Sequence, residues 1–258
     1  MDSSSSGPHD ADMDHLLFWL IGTVFVAAGA VKGISGMGLP TFSIALLGLV
    51  MPPATAATLV LLPSLLTNIA QCMGPHTRML LRRLWPLWLG VAVATVWSPL
   101  PDLGSAGPLT RATLGVVLMA YGMWGLARPA LPDFGHHAPS VGGVAGLLSG
   151  TLTAASGVFV MPLVPYLQTL RLEKDAFIQA LGLSFLVATL ALAARLGHIA
   201  ATTGVSVPLA GHAIALLAAC TGVWIGAQLR QRLPLLLFQR ALYSVFIALG
   251  ALMLARAL

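Results

Sequence analysis

Two long apolar stretches of this chain are interrupted in the same way, and the interruptions lie 121 residues apart. The first, at residues 29–40, reads Gly-Ala-Val-Lys-Gly-Ile-Ser-Gly-Met-Gly-Leu-Pro. The second, at residues 150–162, reads Gly-Thr-Leu-Thr-Ala-Ala-Ser-Gly-Val-Phe-Val-Met-Pro. At this offset the matching pairs are Gly22 and Gly143, Gly29 and Gly150, Ser35 and Ser156, and Gly36 and Gly157. Paired interruptions of apolar segments are typical of the binding sites of membrane transporters built from repeats.

The composition of the chain indicates that it lies in a lipid environment. Of its 258 residues, 57% are hydrophobic and only 8% are charged, and the mean hydropathy is +0.90. A water-soluble protein of this length needs far more charge on its surface. Apolar runs of about 20 residues recur along the chain, and each is long enough to cross a hydrocarbon core of roughly 30 Å. We therefore predict a polytopic integral membrane protein.

Turn signals divide these runs into ten helical segments. We predict an all-α membrane protein of two inverted repeats, each a broken or re-entrant helical hairpin followed by three transmembrane helices. The predicted segments are Leu16–Ile34, Met37–Val50, Ala54–Met73, Leu84–Leu100, Leu109–Ala127, Val141–Ala155, Gly157–Leu170, Ala176–Leu196, Pro208–Leu229 and Leu235–Ala255. The predicted divisions are a disordered acidic tail (1–14), repeat 1 (15–127), a linker (128–140) and repeat 2 (141–258).

The basic residues predict the orientation of these segments. If the loop at residues 74–83 is cytoplasmic, the inner side carries Arg78, Arg82, Arg83, Arg128, Arg171, Lys174, Arg230, Arg232 and Arg240, and the outer side carries Arg111, Arg195 and Arg256. This distribution follows the positive-inside rule. The N-terminus then lies outside, and each hairpin returns to the side on which it began. Each half therefore crosses an odd number of times, so the halves are inverted.

The same distribution argues against several other classes of protein. The first 14 residues contain four aspartates and no basic residue, which is the wrong N-terminal region for a signal peptide. The net charge of +5 comes from single basic residues at span ends, so we expect no nucleic-acid partner. Cys72 and Cys220 both lie in apolar spans, so we predict neither a disulfide nor a metal site.

The small residues at the two interruptions predict an anion site. At Ser35–Gly38 the chain lacks bulk, so its backbone amides can approach a ligand closely. A helix that starts at Met37 presents unpaired N–H groups and a positive dipole end, and the break at Ser156 and Gly157 presents the same feature from the opposite direction. We expect two such N-termini to converge near the membrane midplane.

Lys32 is the one lysine or acid predicted to lie deep within an apolar segment. A charge at this depth costs several kcal/mol, so such residues usually mark a functional pathway. The absence of aspartate and glutamate from the spans favours a substrate anion as its partner and disfavours a carboxylate proton relay. The structural alternative is a lysine that reaches the headgroups or bonds freed carbonyls.

Polar residues on the following helix extend the candidate site. Asn68 and Gln71 share a helix face with Ser64 and Thr67, whereas their counterparts in the second half are largely apolar. The predicted substrate-binding residues are Lys32, Gly33, Ser35, Gly36, Gly38, Thr67, Asn68, Gln71, Thr153, Ser156, Gly157 and Gln179. For each hydroxyl, a bond to its own helix is the open alternative. Arg195 is expected either to attract anions to the outer mouth or to snorkel.

These residues resemble the sulfite exporter TauE/SafE family of sulfur-oxyanion and organosulfonate permeases. The matching pieces are Val31-Lys-Gly-Ile-Ser-Gly-Met-Gly38, Met51-Pro-Pro-Ala-Thr-Ala-Ala57, and the second half from Ser149-Gly through Met161-Pro-Leu163. Pro40 departs from the Gly-Gly-Leu that more often follows the glycines in that family. The resemblance implies a multi-pass secondary carrier in a bacterial inner membrane, with substrates such as sulfite, thiosulfate, sulfoacetate or taurine-like sulfonates.

We therefore expect a transporter that moves a small anion by alternating access, without catalytic residues, metal or cofactor. A coupling proton or cation and a homodimer are left open. An anion channel or a membrane accessory protein is the alternative. A remote one is an intramembrane serine hydrolase, with Ser35 as nucleophile and His198 or His212 as base. The recurrence of Ser35 as Ser156 argues instead for a repeated helix break.

Overall fold

The fold is known from a computed structural model that describes residues 8–100, 103, 107–127, 129, 132–203 and 208–257, with side chains except at residues 8–14, 199–203 and 235. Over these residues the chain forms ten α-helices and no strand. They are α1 (Pro8–Ser35), α2 (Leu39–Leu47), α3 (Pro53–Cys72), α4 (Thr77–Trp97), α5 (Pro108–Ala127), α6 (Ala138–Ser156), α7 (Leu163–Thr169), α8 (Lys174–Thr203), α9 (Leu209–Leu229) and α10 (Leu235–Ala255). A 3₁₀ turn at Gly135–His137 precedes α6.

The all-α membrane architecture is confirmed. Among the described residues, seven helices are long and apolar enough to cross a membrane: His15–Ser35, Pro53–Cys72, Thr77–Trp97, Pro108–Ala127, Lys174–His198, Leu209–Leu229 and Leu236–Ala255. The helices α2 and α7 have only 9 and 7 residues. At 1.5 Å per residue they extend roughly 14 and 11 Å, so neither crosses the hydrocarbon core as a helix.

The structure changes several predicted boundaries. Helix α4 begins at Thr77, not at Leu84, and α8 ends at Thr203, not at Leu196. The first helix begins at Pro8, so residues 8–14 of the predicted tail are helical, while residues 1–7 lie outside the described part. Proline in the first turn and aspartates near a helix N-terminus both favour this start. In addition, α2 begins at Leu39, not at Met37, and α7 begins at Leu163, not at Gly157.

Both later starts follow from the backbone at the breaks. Gly38 has a φ of 100°, which a helix does not allow, so α2 begins only after it. In the second half, residues 158–160 are irregular and Pro162 flanks the helix start. The second half of each hairpin is therefore shorter than the hydrophobic pattern indicates.

Each of the closest helix pairs joins a helix of the first half to a helix of the second half. By their order within each half, α1 corresponds to α6, α3 to α8, α4 to α9 and α5 to α10. The closest helix pairs are α1 with α9, α4 with α6, α5 with α10 and α3 with α8. The first two pairs are equivalents of each other, and the last two each join a helix to its own counterpart. This is the pairing that a two-fold relation between the halves produces.

Two pairs of equivalent helices, α3 with α8 and α5 with α10, run antiparallel. Gln71, at the end of α3, donates a hydrogen bond to the Ile178 carbonyl near the start of α8, whereas Asn68, earlier in α3, donates to Thr189, farther along α8. In the same way, an added Cβ at Gly115 of α5 lies near the Gly250 carbonyl, and one at Gly122 lies near the Tyr243 carbonyl. In these two pairs a helix therefore packs antiparallel against its counterpart in the other half.

Glycine allows the closest of these helix contacts. A Cβ at Gly222 in α9 lies 2.2 Å from the Val26 carbonyl oxygen of α1, and one at Gly33 in α1 lies 2.4 Å from the Val223 carbonyl oxygen of α9. The equivalent pair is as close, because a Cβ at Gly146 lies 2.2 Å from the Leu87 carbonyl oxygen. Small residues let helix backbones approach in lipid, where dispersion contacts replace the hydrophobic effect as the main source of association.

Arg195 has a structural role that neither sequence interpretation anticipated. Its guanidinium donates hydrogen bonds to the carbonyls of Thr95, Val96 and Ser98 at 3.1, 3.2 and 3.4 Å. These carbonyls lie at the C-terminal end of α4, where a helix leaves its last acceptors unpaired. Arg195 of α8 therefore caps α4, and its positive charge complements the negative end of that helix dipole.

We expect the substitution Gly222→Ala to destabilise the protein. The added methyl group overlaps the Val26 carbonyl, and overpacking of this kind costs about 1–3 kcal/mol. Thermal unfolding of the purified protein in detergent measures the change. Gly22→Ala, in the same helix pair, is the matched control, because its Cβ meets only Ile214 at an ordinary 3.7 Å. Equal unfolding temperatures for the two variants contradict the close contact.

Candidate substrate-binding site

The two helix breaks have the same local structure. Ser35 donates a hydrogen bond to the Val31 carbonyl at 2.7 Å, and Ser156 donates to the Leu152 carbonyl at 2.7 Å. Each serine oxygen also accepts a bond from the backbone N–H two residues later, and the next residue is a glycine with positive φ, 79° at position 36 and 71° at position 157. Both hydroxyls therefore stabilise the ends of their own helices. This is the alternative to substrate binding that the sequence left open for each hydroxyl.

The two breaks do not converge. Gly36 lies beside Gln71 at the end of α3, whereas Gly157 packs against Ala57 near its start. These α3 residues are 14 positions apart, which corresponds to about 21 Å of helix. The expected pair of helix N-termini at one midplane point is therefore wrong: each break lies toward a different face of the protein.

Lys32 is held by a polar network between the breaks. Its side chain is only 5% exposed, and its ammonium donates hydrogen bonds to the Thr67 hydroxyl at 2.9 Å and to the Asn68 side-chain carbonyl. Thr67 in turn donates to the Pro63 carbonyl at 2.7 Å. The ammonium therefore bonds side chains of the neighbouring helix, so Lys32 neither reaches the headgroups nor bonds carbonyls freed by the break.

Asn68 joins this network to the second repeat. Its amide nitrogen donates a hydrogen bond to Thr189 at 3.3 Å, and Thr189 donates to the Phe185 carbonyl at 2.7 Å. Asn68 and Thr189 are 121 residues apart and are counterparts in the repeat. Lys32, which bonds Asn68, therefore lies beside a contact between corresponding positions of the two halves.

A groove of about 540 Å³ passes in front of Lys32. Helix α1 forms its floor, and α3 and α9 form its walls. Six of the predicted site residues line it: Lys32, Gly33, Ser35, Gly36, Thr67 and Gln71. Asn68 is completely buried behind Lys32. The structure therefore brings seven of the twelve predicted residues together around one cation.

The other five predicted residues lie elsewhere. Gly38 is buried, with Val31 3.1 Å from the position of an added Cβ. Thr153, Ser156 and Gly157 are buried at the second break, outside the groove. The Gln179 amide bonds the α3–α4 turn through the Cys72 and Gly74 carbonyls, the Thr77 hydroxyl and the His76 N–H. In this conformation Gln179 therefore holds a turn.

Sequence reasoning missed the contribution of α9 to the groove. Cys220, Val223, Trp224, Ala227 and Arg230 form one wall. Their spacing of three or four residues defines one helix face, and the glycines at 222 and 226 indicate a close helix contact on an adjacent face. Those signals show that α9 packs tightly, but not that α1 is its partner.

Metal-ligating clusters and the two histidines considered as catalytic bases do not form part of the groove. Over the described residues, no group of three or more histidine, cysteine, aspartate or glutamate side chains is placed to hold a metal ion. His198 is exposed near the end of α8, and His212 is partly buried near the start of α9. Neither histidine lines the groove beside Ser35.

Comparison with protein families identifies one match. The model of the family described as sulfite exporter TauE/SafE matches residues 21–253, which is nearly the whole chain. Comparisons with curated proteins and with solved structures give no match.

We expect Lys32 and Asn68 to be energetically coupled. Asn68→Leu removes an acceptor from a buried ammonium and costs about 1–3 kcal/mol in unfolding free energy. The double variant Asn68→Leu/Lys32→Met removes both partners, so its loss is smaller than the sum of the two single losses. Thermal unfolding in detergent completes the cycle. Thr58→Val is the control, since Thr58 on the same helix bonds only the Ala54 carbonyl. Additive losses contradict the coupling.

Proposed function

Because the chain belongs to the sulfite exporter TauE/SafE family, we propose that it is a secondary transporter of a small sulfur-containing anion. Sulfite, thiosulfate, sulfoacetate and other organosulfonates are the candidate substrates. The protein moves its substrate across a bacterial inner membrane by alternating access, with the acidic N-terminus outside. The family and the seven apolar helices support transport through a bilayer, and the geometry around Lys32 supports an anion as the substrate.

The observation that carries this proposal is a buried ammonium whose hydrogen bonds, within the described part of the chain, go to the neutral oxygens of Thr67 and Asn68. All eight acidic residues of the chain lie at its N-terminus, at positions 2, 10, 12 and 14, or at 102, 133, 173 and 175. In α1, which carries Lys32, the acidic residues precede the lysine by 18 or more positions, and α3, which carries Thr67 and Asn68, contains no acidic residue. A lysine ammonium has three N–H donors, and Lys32 uses two of them on neutral acceptors. A bound anion satisfies the third donor and compensates the buried charge.

The difference between the two breaks supports alternating access. Gly36 and Ser35 line the groove, whereas Ser156 and the residues at 157–160 are buried. Gly157 is covered by Ile44, which lies 2.7 Å from the position of an added Cβ. Two equivalent breaks, of which one is accessible, support a state that is open on one side. The positive-inside rule assigns that side to the cytoplasm, because the groove ends at Arg230.

If the two halves are inverted repeats, a second state that is open on the opposite side is expected. Antiparallel packing of α3 on α8 and of α5 on α10 supports the inverted arrangement of the repeats. In inverted repeats, exchange of the conformations of the halves opens the opposite side around a fixed central site. The hydrogen bond between Asn68 and Thr189, which are counterparts in the repeat, supports a central site between the halves.

Membrane energetics favour export over uptake. An inside-negative potential drives an anion outward with about 2.3 kcal/mol per charge per 100 mV, so efflux needs no coupling ion. Uptake against the potential requires a coupled cation or proton, and the one carboxylate within the seven spans is Asp175, in the first turn of α8 and outside the groove. We therefore propose efflux or facilitated movement of the anion, and the family name is consistent with this direction.

We expect Lys32→Gln to abolish anion transport while the protein remains folded. Purified protein in liposomes loaded with sulfite, thiosulfate or sulfoacetate gives the efflux rate of each. The variant keeps a polar side chain but lacks the charge that compensates the substrate. Its efflux rate therefore falls to that of loaded liposomes without protein. Lys174→Gln is the matched control, because Lys174 is exposed at the start of α8. Full transport by Lys32→Gln removes this residue from the mechanism.

A second measurement separates a carrier from an anion channel. A carrier that alternates around one site exchanges substrate, so unlabelled anion inside the liposomes accelerates entry of labelled anion from outside. We expect such counterflow and saturation of the rate with substrate concentration. Flux that grows linearly with concentration and shows no counterflow supports a channel instead.

A further inference from the structure

The groove is much larger than an inorganic oxyanion. Its volume is about 540 Å³, whereas a water molecule occupies about 30 Å³ of the liquid and a four-atom anion such as sulfite about two to three times that. Volumes of about 300–1,000 Å³ are typical of sites for organic ligands. An oxyanion on Lys32 therefore leaves most of the groove unfilled.

The remaining wall of the groove is apolar. The charges in its lining are Lys32 on the floor and Arg230 at one end. Between and beside them are the apolar side chains of Leu66, Ala70, Ile178, Val223, Trp224 and Ala227. A few polar groups in an apolar wall are typical of sites that orient an organic ligand by its head and bury its body. The lining thus complements an anion with an apolar body.

The groove is open along its side. Leu66 of α3 and Trp224 of α9 line it and are 43% and 66% exposed. Both helices are long and apolar enough to cross the membrane. Both residues lie in the C-terminal halves of these helices, within the lengths that can span the membrane, so exposed side chains there contact lipid and the groove is open toward the bilayer between α3 and α9.

We propose that this groove binds an amphipathic organic anion. A sulfonate head accepts a hydrogen bond from Lys32, and an alkyl body of about six carbons lies along Leu66, Val223 and Trp224. The anion reaches the site sideways from the bilayer, between α3 and α9. The positive charge at the floor selects this occupant over a neutral hydrocarbon. The proposal rests on the proposed function, since it assigns a substrate class to the same lysine.

A cysteine in the wall allows a direct test. Cys220 is exposed and lines the groove. The chain has two cysteines, so Cys72→Ser leaves Cys220 as the single thiol. In lipid nanodiscs, N-ethylmaleimide modifies Cys220 in the presence of methane-, butane-, hexane- or octane-1-sulfonate. Mass spectrometry measures the rate of modification for each sulfonate. Hexan-1-ol serves as the uncharged control.

We expect the sulfonates to protect Cys220 in order of chain length. The half-protecting concentration falls about threefold to fourfold per buried methylene, up to about six carbons. Lys32→Met weakens the protection by hexane-1-sulfonate at least tenfold, because the head loses its charged partner. Trp224→Ala flattens the dependence on chain length, whereas Trp97→Ala, an equally exposed tryptophan outside the groove, leaves it unchanged.

Four outcomes overturn the proposal. Equal protection by methanesulfonate shows that only the head is recognised. Equal protection by hexan-1-ol, or unchanged protection in Lys32→Met, shows that the groove takes any hydrocarbon, such as a lipid tail. A thiol that is unreactive in every condition, together with a dimer in the nanodisc, shows that a second copy of the chain covers the groove. Absence of protection by every sulfonate shows that no such anion binds.

Two combinations of results distinguish failure of the amphipathic-anion proposal from failure of the proposed transport function. Efflux of sulfite, thiosulfate or sulfoacetate that depends on Lys32, combined with protection independent of chain length, keeps the transporter and removes the amphipathic substrate. Absence of Lys32-dependent efflux for these anions, combined with chain-length-dependent protection, keeps the amphipathic site and removes the small-anion substrate.

Discussion

The contact of Lys32 with Asn68 and Thr67 is the interaction on which the rest of the site depends. A lone ammonium within a lipid-embedded bundle is costly, and neutral oxygens from α3 supply only part of the solvation that water provides. Asn68 extends the network to Thr189, so one chain of hydrogen bonds connects α1, α3 and α8 across both repeats. The charge is therefore stabilised where α3 of the first half meets α8 of the second half.

Two kinds of contact support this centre. Close helix packing at Gly222 and Gly226 holds α9 against α1, so the α9 wall of the groove is packed directly on its floor. Gln179 and Arg195 bond backbone carbonyls at the ends of α3 and α4. In lipid an unpaired carbonyl is expensive, so these polar side chains in α8 stabilise helix ends and need not face a substrate.

The repeat explains which predictions succeeded. Ten helical segments follow from apolar runs separated by turn residues, and the equal local structure of the breaks follows from the serine–glycine pairs at 35–36 and 156–157. The separation of these breaks could not be derived, because spacing along the chain does not determine depth in a bundle. Gln179 was singled out as a polar residue in an apolar segment, but its partner turn at residues 72–77 is distant in sequence.

By itself, the sequence determined that this chain is an all-α membrane protein, that it contains a repeated helix break, and that Lys32 is the residue with an unmet charge. Composition and periodicity contain this information because lipid requires apolar, internally hydrogen-bonded segments. Only the tertiary structure decided that α9 joins α1 and α3 to form the groove, and that Asn68 meets its own counterpart. These contacts depend on which small-residue faces pair, and several faces of the chain satisfy that requirement equally until the whole bundle is assembled.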